Sequence, residues 1–204
     1  MITTASFWDK VSLKYSKKAV PNENIYQEKL KRTQELFPKD AQVLEFGCGT
    51  GTTSLIHAPF VKQIQAYDYS PGMIQIANEK KVQQSINNVS FDIKAVDDIS
   101  FKKNNYDVIM AHSILHLTEN NLEILKKVHS SLKSGGYFVS SSGCLKDMNF
   151  LIRAVLPFLK AIGKAPFVNQ FSAQELIQLH EEVGFKNLKP WHYQKGELFL
   201  IAQK

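Results

Sequence analysis

Residues Val43-Leu44-Glu45-Phe46 form a short apolar run that leads straight into Gly47, Gly49 and Gly51, three glycines spaced two apart. Glycines after a buried strand let the backbone take positive φ and bring peptide N–H groups close to a ligand, and the start of a following helix favours an anionic group. This stretch therefore predicts a strand, a tight turn and a helix with a ligand at the junction. Two familiar glycine-rich motifs are excluded by single letters. The dinucleotide fingerprint G-x-G-x-x-G requires glycine where Thr52 stands, and a triphosphate-binding P-loop requires a lysine that does not follow Gly51. What remains is G-x-G-x-G preceded by Glu45. A carboxylate so close to the turn repels a pyrophosphate and suits a ligand that carries an ammonium group.

Downstream, apolar strand-like runs alternate with amphipathic helical stretches, which predicts a doubly wound α/β sandwich. Four segments carry a closer resemblance: Glu45-Phe46-Gly47-Cys48-Gly49-Thr50-Gly51, Ala66-Tyr67-Asp68-Tyr69-Ser70-Pro71-Gly72-Met73, Tyr106-Asp107-Val108-Ile109-Met110-Ala111-His112-Ser113 and Leu132-Lys133-Ser134-Gly135-Gly136-Tyr137. Together they resemble the class I S-adenosylmethionine-dependent methyltransferases of the small, single-domain type that act on small molecules, from about Trp8 to the C-terminus. The resemblance implies a Rossmann-like three-layer sandwich with seven strands, mostly parallel, the last antiparallel. It also implies one domain over residues 1–204, with an N-terminal helical cap over 1–38 and an inserted helical lid over 145–171. The cofactor so implied is S-adenosylmethionine, whose amino, carboxylate and sulfonium groups agree with an acidic residue at the turn.

Site expectations follow from position. Glu45, Gly47, Cys48, Gly49 and Gly51 form the glycine turn. Asp68 ends the second strand seventeen residues beyond Gly51, where a carboxylate can accept from both ribose hydroxyls. Tyr69 and Met73 are expected to flank the adenine. Ala95 stands where the family carries an adenine-contacting acid, so the peptide N–H of Val96 and the side chain of Asp97 are the expected substitutes. His112 and His116 follow the fourth strand; His112 is expected beside the cofactor, and both are the candidate bases, needed only for a hydroxyl or protonated amine acceptor. A histidine pair lacking an obvious third ligand predicts no metal. Phe7 and Tyr15 share a face of the first helix and are expected to close over cofactor and acceptor. Leu151, Val155, Leu156, Phe158 and Ile162 make the segment 146–168 strongly apolar, which suggests the acceptor-pocket wall, with Leu156 and Phe158 touching the acceptor.

Charge and composition narrow the partners. The net charge of +6 comes from lysines scattered along the chain, in pairs such as Lys80-Lys81 that read as solvated helix ends; nucleic acid is therefore disfavoured as a partner. No stretch is apolar enough over about 18 residues to span a membrane. Two cysteines, one of them inside the glycine turn, make no disulfide framework and point to a reducing, cytoplasmic setting. The expected partner is a small, partly apolar methyl acceptor, and the expected assembly a monomer or homodimer. The competing readings are a non-catalytic S-adenosylmethionine-binding module and a nucleic-acid methyltransferase, the latter disfavoured because Ala111-His112-Ser113-Ile114 stands where an adenine-N6 enzyme carries [D/N]-P-P-[Y/F].

Overall fold

The computed structural model describes residues 4–161 and 165–204. Two helices, α1 (Thr4–Ser16) and α2 (Glu23–Gln34), precede the first strand, β1 (Gln42–Phe46). Then follow α3 (Thr52–His57), β2 (Gln63–Asp68), α4 (Pro71–Gln83), β3 (Val89–Ile93), β4 (Tyr106–His112), α5 (Asn121–Ser131), β5 (Leu132–Gly143), α6 (Phe150–Ala161), α7 (Ala173–Val183), β6 (Lys186–Gln194) and β7 (Glu197–Gln203). Helix starts follow side-chain chemistry. Asn22, Ser70, Asn120 and Ser172 each accept from a backbone N–H in the first turn, and Glu175 completes a capping box with Ser172. Gly184 ends α7 at φ +106°.

The seven strands form one sheet in the order β3-β2-β1-β4-β5-β7-β6, and β7 runs antiparallel to both neighbours while the rest are parallel. This matches the expected sheet. Its central strands are buried on both faces: Val43, Leu44, Val108, Ile109, Phe138 and Val139 are at most 1% exposed, as a parallel sheet between two helical layers requires. One core joins the sheet to α5 and α7 through Ile124, Leu125 and Leu176; the other joins it to α3 and α4 through Leu55, Ile74 and Ala77.

The winding direction reverses between β1 and β4, which pair in parallel with Glu45 opposite Met110. At such a switch point the connections leave in opposite directions and open a crevice at the carboxyl ends of the strands. The residues delivered there are Gly47–Gly51 from β1 and His112–Ser113 from β4. His112 pairs with Ser141 of β5, which pairs with Phe199 of β7, and Glu197 stands opposite Gly143. The antiparallel hairpin therefore carries its β6–β7 turn to this same edge.

Candidate active site

The three glycines have positive φ, +70°, +53° and +73° in order, but different neighbours. A Cβ on Gly47 would stand 2.7 Å from Ile114, and one on Gly51 would stand 2.6 Å from Phe91 and 2.8 Å from Ala77. Gly49 is the open one, with only Tyr15 within 4 Å among the described residues, at 3.9 Å. Gly47 and Gly51 let the turn pack against the core, and Gly49 leaves room for a ligand over the backbone. Helix α3 is a short one, and the turn before it is braced from outside. Lys80 donates from Nζ to the Thr50 carbonyl at 3.2 Å, to Thr50 Oγ1 at 3.0 Å and to Thr52 Oγ1 at 2.9 Å. Lys80 is thus not the solvated helix end that its charge pair suggested. Nothing in the sequence separates it from Lys81.

Asp68 is 7% exposed, and its two oxygens accept from the N–H of Gly49 and of Ser70, each at 2.9 Å. Burial raises its pKa, the backbone N–H groups pull it down, and Asp9 pushes it up again. The carboxylate ties the glycine turn to the end of β2. Asp9 was not singled out from the sequence. It docks α1 on α4, accepting at Oδ1 from Ser70 Oγ (2.5 Å) and from the Gly72 N–H (3.0 Å), where the missing Gly72 side chain leaves space for Ser12.

Glu45, 1% exposed, accepts a short hydrogen bond from Ser54 Oγ. Burial raises its pKa to about 7, with the Ser54 bond opposing. Cys48 is a buried free thiol, its pKa pushed up chiefly by burial. His112 is neutral, its pKa lowered to about 3 by burial and then by the charges of His57 and Lys29. It lies parallel to Phe199 and is 3.4 Å from Ser141 Oγ at Nδ1.

An open cleft of about 820 Å³ runs along this edge. Of the residues singled out from the sequence it brings together Tyr15, Glu45, Gly47, Cys48, Gly49 and His112. Gly51, Asp68, Tyr69, Met73, Val96 and Asp97 lie outside its lining. Met73 is 2% exposed in the core, and Asp97 sits on an exposed short turn. On that side Asp9 and Ser12 seat α1 on α4. Phe7 packs edge-on against Trp8, and Trp8 against Tyr15, on this helix; of these only Tyr15 reaches the cleft.

Two expectations need correction. His116 does not join His112 on one helical face. It lies in a single turn of 3-10 helix, Leu115–Leu117, where Nδ1 accepts from the Gly143 N–H at 3.4 Å and the ring is outside the cleft. Nor do the described residues of the 146–168 segment line the cleft. Phe158 is 66% exposed and Leu156 half-buried, and neither lines it; Ile162 lies outside the described residues. The turn Leu145–Asp147 is held against α7, where Asp147 accepts from the Ala173 N–H at 2.7 Å and Lys146 pairs with Glu175. The wall is supplied by α2 and the β6–β7 turn, through Tyr26, Lys29, Tyr193 and Glu197. Tyr26 shares a hydrogen bond with Thr53 at 3.2 Å. Among the described residues no group of three His, Cys, Asp or Glu could hold a metal ion, and no helix is long and apolar enough to cross a membrane.

A glycine-rich turn with one open glycine, a buried acid ending β1, another ending β2 and a six-parallel, one-antiparallel sheet together define a class I S-adenosylmethionine-dependent methyltransferase. The chain belongs to the methyltransferase domain family, whose pattern matches residues 38–189. An uncharacterised protein of Methanocaldococcus jannaschii is 28% identical over 185 residues, 89% of this chain and 82% of that one. The malonyl-[acyl-carrier protein] O-methyltransferase of Priestia megaterium is 28% identical over 152 residues, 72% of this chain but only 54% of that protein. In structure, an N-methyltransferase of Haemonchus contortus solved with phosphomonomethylethanolamine and S-adenosylhomocysteine superposes with a TM-score of 0.74 at 12% identity, over 88% of this chain and 52% of that one. The last likeness is one of fold.

Proposed function

We propose that the chain transfers the methyl group of S-adenosylmethionine to a nucleophilic atom of a small, partly apolar molecule. The observation that carries this is the size and reach of the cleft. About 820 Å³ is near the upper end of what single-ligand sites occupy, and the space extends from Gly49 past His112 to α2 and the β6–β7 turn. Apolar Val20, Ile25 and Leu30 line it beside polar groups. Two relatives, the malonyl-[acyl-carrier protein] enzyme and a ubiquinone biosynthesis O-methyltransferase of Xanthomonas campestris, transfer to oxygen by name.

When bound, the cofactor supplies an electrophilic methyl carbon, which bonds to a lone pair of the acceptor as the carbon–sulfur pair returns to sulfur. The protein's task is to position the two partners and exclude water, which can be worth about 7–11 kcal/mol of barrier. Gly49 would let the cofactor approach the backbone, Glu45 in its ionised form would pair with the ammonium, and Asp68 would accept from the ribose hydroxyls. Tyr15, over Gly49, closes the pocket from the α1 side. His112, neutral throughout the ordinary pH range, accepts a hydrogen bond from a hydroxyl acceptor and orients its lone pair. The test is calorimetry with S-adenosylhomocysteine and NAD, followed by a screen of small acceptors for S-adenosylhomocysteine formation. Binding of the sulfur compound with turnover supports the reading, binding without turnover of any acceptor favours a non-catalytic module, and binding of NAD alone refutes it.

A further inference from the structure

Where α2 faces the β6–β7 turn, the cleft lining has a charge arrangement to which the proposed function assigns no role. Lys29 of α2 is half-buried there, its Nζ 3.7 Å from the centroid of the Tyr193 ring, and the Tyr193 hydroxyl donates to Glu197 Oε2 at 2.8 Å. The ring bridges a cation on its face and a carboxylate at its edge. Among the described residues the Lys29 ammonium meets neither a hydrogen-bond acceptor nor a carboxylate within ion-pair distance. The other cations of this region differ. Lys80 has its three donors taken by Thr50 and Thr52, Arg32 is paired with Glu28 at 2.7 Å and lies over Trp191, and Lys18 is exposed at the mouth. An ammonium has three N–H groups to satisfy, and a ring face holds it without accepting them in conventional geometry. Burial lowers the Lys29 pKa to about 8 against the opposing pull of Glu197, so a partner entering the cleft would relieve a cost already present. Lys29 and His112 also share one field, since the charge of the first helps to depress the pKa of the second.

We infer that Lys29 determines acceptor specificity by pairing with a carboxylate on the acceptor, whose apolar part lies against Ile25 and Leu30 and whose reactive atom points toward His112. A singly charged group is favoured over a phosphate dianion because Glu197 stands close enough to repel a second negative charge. Tyr193 is the positioning residue that holds the ammonium in place. The inference rests on the methyl-transfer reading and adds the class of acceptor to it.

The experiment uses the whole chain saturated with S-adenosylhomocysteine, titrated by calorimetry and NMR with benzoate and hexanoate and, as matched controls, with benzylamine and hexylamine. At least one carboxylate should bind and neither amine should, and the titration of the Lys29 amine should move to higher pH on binding. Lys29→Met should weaken the carboxylate at least tenfold while S-adenosylhomocysteine affinity stays within twofold, and Lys29→Arg should restore part of the loss. Amines binding as well as carboxylates, or carboxylate affinity unchanged in Lys29→Met, would overturn the inference. S-adenosylhomocysteine binding with no response to either carboxylate would overturn this inference alone, whereas failure of S-adenosylhomocysteine to bind would remove the methyl-transfer reading as well.

Discussion

Gly47, Gly49 and Gly51 look equivalent in the sequence and are separated by what stands in front of them. An alanine at Gly49 faces open space apart from Tyr15 at 3.9 Å, so Gly49→Ala should lose only the about 1–2 kcal/mol of left-handed backbone strain. Gly51→Ala adds a collision with Phe91 and Ala77 and should lose a further 1–3 kcal/mol or so. Urea denaturation of the two variants checks the order, and equal losses would refute this division of roles. Function should rank the other way for a larger side chain, with Gly49→Val abolishing S-adenosylhomocysteine binding in a folded protein. Asp68 is a second case. Its position at the end of β2 was legible in the sequence, but its bonds to Gly49 and Ser70 were not, because they depend on how two loops meet. Asp68→Ala should weaken cofactor binding by about 2–3 kcal/mol and also loosen the turn, and Asp68→Asn, which keeps one acceptor, should fall between. Calorimetry with hydrogen exchange at 47–51 separates the two effects.

Helices differ in how firmly they are held. The α1 helix depends on Asp9, whose single carboxylate oxygen serves both Ser70 and Gly72. Asp9→Ala should cost about 0.5–2 kcal/mol, the range for losing a cap. Hydrogen exchange should quicken over 4–16 while β1 and β4 stay protected, and a uniform change across the sheet would contradict this. The α2 helix buries little beyond Leu30 and Thr33 and is pinned to the hairpin by Lys29 over Tyr193 and Arg32 over Trp191, contacts with no signature in a single sequence. The α6 helix was legible as an apolar helix, but its Leu156 and Phe158 stand outside the cleft lining, since periodicity gives a face but not its direction. With Phe158 66% exposed and outside the cleft, Phe158→Ala should change S-adenosylhomocysteine binding and methyl transfer less than twofold in kinetic assays.

Across the molecule, buried titratable groups set the response to pH. His57, His116 and His180 have pKa values lowered to about 4, and His112 to about 3, burial being the main cause in each. Their ordinary value is 6.5, so between about 4 and 6.5 the unfolded chain binds more protons than the folded one, and stability rises with pH. The contribution is complete above 6.5 and lost as pH falls toward 4, by about 3 kcal/mol for a single imidazole moved from 6.5 to 4. Glu45 acts in the opposite sense. With a folded pKa of about 7 against 4.5, the folded state binds the extra proton between these values, and stability falls as pH rises through them. Four imidazoles outweigh one carboxyl, so the denaturation midpoint should drop steeply below pH 6.5. His180 is fully buried between Phe138 and Phe185, with Nδ1 donating to the Leu176 carbonyl at 2.7 Å and Nε2 without a partner among the described residues. His180→Phe should flatten the acid slope, and an unchanged slope would assign the acid loss to other groups.

The strand–glycine–helix junction, the βα alternation, the Ser70 cap and the antiparallel hairpin were all determined locally, by turn chemistry, capping and periodicity that act within a few residues. So was the class of cofactor, through three spaced glycines and two acids at strand ends. Only the tertiary structure decided which glycine faces open space, that Lys80 braces the turn, that His112 and His116 part company, and that α2 with the β6–β7 turn lines the cleft. These depend on contacts between segments tens to more than a hundred residues apart, whose relative placement is set by packing on the sheet rather than by any neighbouring residue.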